Sequence, residues 1–86
     1  MRKEDLPKLD VEKTGRIIKS YMKKNRWDAF DLATVLGMKS VSTIYAWTQG
    51  RHAPNVEYIL QLSNIFGCSI EDLIGIEGKE IENEWI

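Results

Sequence analysis

The stretch DAFDLATVLGMKSVSTIYAWTQG, from Asp28 to Gly50, reads as two short helices and the turn between them. Asp28 is an N-cap by type, and Asp31 is a carboxylate at the position that reaches back in a capping box. Ala29, Leu32, Ala33 and Leu36 follow at helical spacing on one face. Gly37 ends this helix, because glycine takes the left-handed C′ conformation without steric cost and Met38 can fold back against the turn before it. Ser40 is the expected N-cap of a second helix, Val41 to Thr48 or Gln49, which Gly50 terminates. Ile44 and Trp47 point to a core from it, while Val41, Ser42, Tyr45 and Ala46 take its early and outward positions.

Working outward, apolar residues keep helical spacing in both directions. Upstream, a helix is expected from Asp10 or Thr14 to about Asn25, with Val11, Ile18, Tyr21 and Met22 inward and Lys13, Lys19, Lys23 and Lys24 on other faces. Trp27 and Leu32 flank the Asp28 cap as a hydrophobic staple. Downstream, Asn55 caps a fourth helix with Val56, Ile59, Leu60 and Phe66 inward, ending at Gly67. Ser69-Ile-Glu-Asp72 is expected to start a short fifth helix edged by Ile70, Leu73 and Ile74. No stretch alternates cleanly enough for a strand, so the fold class is all-α with five helices. The acidic remainder, with Ile81 and Trp85 four residues apart, reads as a sixth short helix or a tail.

Two capped helices joined by a glycine turn and followed by a Gly/Arg/His loop are the arrangement of a helix-turn-helix, whose second helix lies in the DNA major groove. From about Thr14 to Ile74 the chain resembles the Cro/C1-type (XRE-like) family of small DNA-binding regulators. Gly15-Arg-Ile-Ile18 resembles the family's first helix, Asp31-Leu-Ala-Thr-Val-Leu-Gly37 its second, and Ser40-Val-Ser-Thr-Ile44 with Trp47 its recognition helix. Gly50-Arg-His-Ala-Pro54 resembles the loop that follows, and Phe66-Gly-Cys-Ser-Ile-Glu-Asp-Leu73 the closing turn. There are departures. Gly37 and Trp47 stand one residue further apart than is commonest, which lengthens the turn at Met38-Lys39-Ser40. Asp28-Ala29 replaces the usual Thr-Gln, and Met22 and Thr48 replace an Arg/Glu pair.

The resemblance implies a lambda-repressor-like domain over residues 14–75, preceded by an arm and the start of helix 1 at 1–13 and followed by an acidic tail at 76–86. It implies sequence-specific binding of double-stranded DNA by a homodimeric transcriptional regulator, with repression the expected direction. Val41, Ser42, Tyr45 and Ala46 match base-facing positions; Val41 and Ala46 offer only apolar contacts such as the thymine methyl. Lys39, Ser40, Gln49, Gly50 (through its N–H), Arg51 and His52 match or flank backbone-facing positions. The N–H groups opening helix 2 are a further candidate anion site, for which Asp28 competes.

Composition sets the outer limits. Eighty-six residues are expected to form one domain, and 43% hydrophobic with 29% charged content suits a packed core. The net charge of −1 conceals an asymmetry: residues 1–52 carry eleven Lys/Arg against six Asp/Glu, or +5, and residues 53–86 one Lys against seven acids, or −6. A single cysteine, Cys68, and a single histidine, His52, leave no disulfide and no zinc set. With no nucleophile beside a base and no phosphate-cradling loop, no enzyme activity and no cofactor or metal is expected. No membrane-length apolar run or secretory leader is apparent, and a cytoplasmic location is expected. Three readings stand for the tail: a frayed terminus, a dimer or protein-partner contact through Ile76, Ile81, Trp85 and Ile86, or a cover over the basic half. The rival to DNA binding is an antitoxin-like or adaptor module that keeps the fold and recruits a protein.

Overall fold

The computed structural model describes residues 6–78. Five helices follow in order: α1 (Val11–Lys24), α2 (Ala29–Leu36), α3 (Ser42–Thr48), α4 (Val56–Phe66) and α5 (Ile70–Leu73). Local chemistry sets their starts. Asp10 accepts from the Lys13 N–H, Asn55 from the Tyr58 N–H, and Asp28/Asp31 and Ser69/Asp72 form reciprocal capping boxes. Their ends share one device. In α2, α3 and α4 a left-handed glycine precedes a residue whose N–H reaches back to the carbonyl five residues earlier: Met38 to Ala33, Arg51 to Ala46 and Cys68 to Ser63. α1 ends the same way, Trp27 N–H to Met22 carbonyl, but with Arg26 in the left-handed position at φ 58°.

The core is built around Ile18, Leu32, Ile44, Trp47, Leu62 and Leu73, all fully buried. Trp27 packs against the cluster that contains Leu32, as the staple requires. α1 packs most extensively on α3, and Gly15 makes this possible: a Cβ there would run into the Trp47 carbonyl. Among the described residues the only β feature is an antiparallel bridge between Leu9 and Ile76. It is flanked by Asp10 N–H to Gly75 carbonyl (2.8 Å) and Glu77 N–H to Lys8 carbonyl (2.9 Å). Beneath this clasp the buried Thr14 hydroxyl accepts from the Gly75 N–H at 2.9 Å. Ile76 thus belongs to the folded body, whereas Ile81, Trp85 and Ile86 lie outside the described residues.

Two expectations are corrected. α3 opens at Ser42, after Val41 rather than after a Ser40 cap, because the Ser40 hydroxyl accepts from the N–H only two residues on (3.1 Å) and bonds the Ser42 hydroxyl (2.9 Å). The link between α2 and α3 is therefore five residues, 37–41. In α4 the buried stripe passes through Ile59 and Leu62, and Val56 and Leu60 fall to one side of it, 84% and 56% exposed. Ile70 is likewise exposed.

Candidate nucleic-acid interface

α3 presents Ser42, Tyr45 and Gln49 to solvent, at i, i+3 and i+7, so the three share one face. Ile44 and Trp47 anchor the opposite side of the helix in the core. Tyr45 is 42% exposed and holds a hydroxyl that donates or accepts. Ser42 is exposed too, with its hydroxyl shared with Ser40.

The other two base-facing candidates are withdrawn from this face. Ala46 is 6% exposed, a methyl with no reach, and its carbonyl accepts the Arg51 and His52 N–H groups at 2.9 and 3.5 Å. Val41 packs half-buried against the core.

Of the backbone-facing candidates, Lys39, Ser40, Gln49, Arg51 and His52 are exposed. Arg51 leaves the chain from a residue locked by its own N–H, so the guanidinium swings from a fixed point at the end of α3. Gly50 does not fit its expected part: its N–H donates to the Trp47 carbonyl at 3.0 Å and is spent in the helix cap.

Beside α3 the structure opens a groove of about 490 Å³ between α1, α2 and α3. Lys19 and Lys23 stand on one wall, Tyr45 and Gln49 on the other, Asp28 and Trp27 at the α2 end, with Met22 and Thr48 together where relatives carry a charge pair. Sequence reading placed the two lysines on α1 and expected about half of that helix's basic residues to flank DNA, without saying which. Their i, i+4 spacing marked a common face, but which neighbour that face meets depends on the Gly15–Trp47 contact. At the start of α2 the Asp31 N–H donates to Asp28 Oδ1 and the Asp28 N–H to Asp31 Oδ2, both at 2.9 Å. Two of the N–H groups considered for an anion at this terminus are therefore taken by its own carboxylates.

A reading helix held over the end of a partner helix, with its outward face beside a lysine-lined groove, is the geometry expected of a DNA-binding unit. A family model described as helix-turn-helix matches residues 18–73. The chain belongs to the Cro/C1-type (XRE) helix-turn-helix family. It is thereby a DNA-binding domain of the transcription-regulator kind, with a lambda-repressor-like fold. Two solved structures resemble this helix-turn-helix chain. Apo-HppE superposes with a TM-score of 0.67 at 20% identity, covering 79% of this chain and 37% of that one. HppE with CoII and substrate gives a TM-score of 0.70 at 20% identity, covering 90% and 42%. At that identity the likeness concerns the fold alone, and the chain spans about two fifths of those chains. No curated protein matches the sequence. Among the described residues no group of acidic, histidine or cysteine side chains could hold a metal ion, and no helix is long and apolar enough to cross a membrane.

Proposed function

We propose that this helix-turn-helix domain binds duplex DNA with α3 in the major groove, as a homodimer on a pseudo-palindromic operator, and acts as a transcriptional repressor. The observation that carries the reading is the Ser42–Tyr45–Gln49 face lying against the groove lined by Lys19 and Lys23. Ser42 and Tyr45 are the base-facing side chains, both able to hydrogen-bond at base edges. Gln49, one turn further along, joins Lys19, Lys23, Lys39, Arg51 and His52 along the phosphates, fixing register without reading sequence.

The dimer is supported by what one reading helix lacks and by what α4 exposes. A single recognition helix contacts few base pairs, and two-fold related half-sites are the usual remedy. Val56 and Leu60, one turn apart on α4, lie exposed on a helix that carries one charged residue, Glu57. Val56 also borders an apolar hollow of about 210 Å³ with Leu9, Ile70 and Ile74. The same surface favours the second reading, an adaptor that seats another protein there.

Selection from randomised duplex DNA, read with the mass of the complex, tests the proposal. A two-fold motif bound by two chains is the expected result. Arg51→Ala is expected to weaken binding to all sequences and to flatten the log affinity against log salt slope by about one, as loss of one phosphate contact does. Ser42→Ala is expected to relax preference at one or two base pairs instead. Absence of any enriched motif, with binding unaffected by salt, selects the adaptor reading.

A further inference from the structure

The groove beside α3 contains both signs of charge; the carboxylates at the start of α2 suit its helix dipole, and they also set negative charge where a phosphate would approach. An N-cap works as well with serine or asparagine, and the N3 partner as well with glutamine, none of which is charged. The chain uses neutral and acidic caps alike: Asn55 opens α4 and Ser69 opens α5, while Asp10 opens α1 and Asp28 opens α2. Only at α2, the helix that adjoins the groove, are both members of the box carboxylates, and both are exposed. Asp28 lines the groove with Lys19 and Lys23, and Asp31 is fixed to it through two reciprocal bonds of 2.9 Å. A phosphate strand entering here meets the two lysines and Asp28, with Asp31 bonded to Asp28 outside the lining.

We propose that the α2 capping box is an electrostatic governor of DNA affinity: Asp28, backed by Asp31, repels the phosphate backbone from the α2 N-terminus and confines it to the lysine wall of α1. Non-specific affinity is thereby held low, and stable binding is left to duplexes that satisfy Ser42 and Tyr45. The inference rests on the DNA-binding reading and adds a role to residues outside it.

The test uses the full chain, a random-sequence duplex and a selected one, titrated over a range of KCl. Asp28→Asn keeps the cap oxygen and is expected to tighten random-duplex binding about threefold at low salt, the size of one unit-charge repulsion a few ångströms away in water. Asp28→Asn with Asp31→Asn is expected to reach about tenfold, with the gain fading as salt screens it and the selected-to-random ratio falling. Asp28→Ser checks the result with a different neutral cap, and thermal unfolding verifies that each variant is folded. Glu71→Gln, which removes one negative charge outside the groove, is expected to give less than half the gain of Asp28→Asn. Unchanged random-duplex affinity in the double variant, or an equal gain from Glu71→Gln, overturns the governor while DNA binding by the parent chain stands. A parent chain without salt-dependent duplex binding, indifferent to Lys19→Ala and Lys23→Ala, overturns both.

Discussion

The Trp47 carbonyl occupies the space that a side chain at residue 15 would need, so α1 and α3 touch backbone to backbone. Gly15→Ala is expected to destabilise the fold by about 2 kcal/mol, an overpacking cost reduced by alanine's better helix propensity, read as a denaturant midpoint shift. DNA affinity should fall with it, because the displaced element is the reading helix. Arg26 carries the opposite imbalance. It holds φ 58° where the other three long helices place glycine, a conformation costing a side chain about 1–2 kcal/mol, part of which the looser unfolded chain of a glycine variant cancels. Arg26→Gly is expected to stabilise by about 0.5–1 kcal/mol and yet weaken DNA binding, since the guanidinium leaves the segment that leads into the groove at Trp27. Improved stability with unchanged affinity confines Arg26 to the cap. Tyr21 is set for alkaline pH: its hydrogen bond to Cys68, followed by burial, raises the phenol above its ordinary value of 10.0. The folded state favours the neutral phenol, so this stability is complete below the unfolded value near 10 and is lost as pH rises through the higher folded one. Tyr21→Phe, which keeps the stack on Phe66 at 5.2 Å, should remove that alkaline loss when unfolding midpoints are compared across pH 9–12.

At the scale of elements, what was legible in the sequence is what short-range chemistry dictates. Asp28 with Asp31, Asn55, and Ser69 with Asp72 opened helices where cap chemistry required, and Gly37, Gly50 and Gly67 closed them. Ser40 misled because a hydroxyl can satisfy an N–H two residues on as readily as one three on, and it chose the nearer, Ser42. Ala46 misled because helix angle alone puts it outward with Ser42, whereas in the folded chain it is buried. The lysine wall of the groove could not be read before the α1–α3 crossing was known. The clasp between residues 8–10 and 75–77 was invisible too, since one bridge leaves no alternation to detect. Its keystone is Thr14, buried with its hydroxyl accepting from the Gly75 N–H. Thr14→Val keeps the shape and strands that N–H, so a loss of about 1–3 kcal/mol is expected, with hydrogen exchange fastest at Gly75 and Asp10. Thr14→Ser, which keeps the hydroxyl, should recover most of it.

For the whole molecule, the charge asymmetry separates two surfaces. The +5 portion, residues 1–52, contains α1, α2 and α3, with the groove and the reading face; the −6 portion contains α4 and α5. No residue lines both the groove of α3 and the apolar hollow bordered by Val56, so one surface can engage DNA while the other is covered. On the proposed reading, the modest positive charge of the reading half, in which Asp28 and Asp31 are already counted, gives a single domain a weak hold on a half-site. Pairing two domains changes this without any new DNA contact, because the second half-site then binds at high effective concentration, a gain of about 10²–10⁴-fold. If α4 supplies the dimer contact, Val56→Glu with Leu60→Lys should make the protein monomeric in sedimentation, since exposed apolar side chains become charges at little cost to the core. Affinity for a two-half-site operator is then expected to fall by at least about a hundredfold, while affinity for an isolated half-site stays at the parent value. A variant that remains dimeric moves the contact away from α4; one that becomes monomeric and still holds the full operator tightly removes the need for a dimer at all.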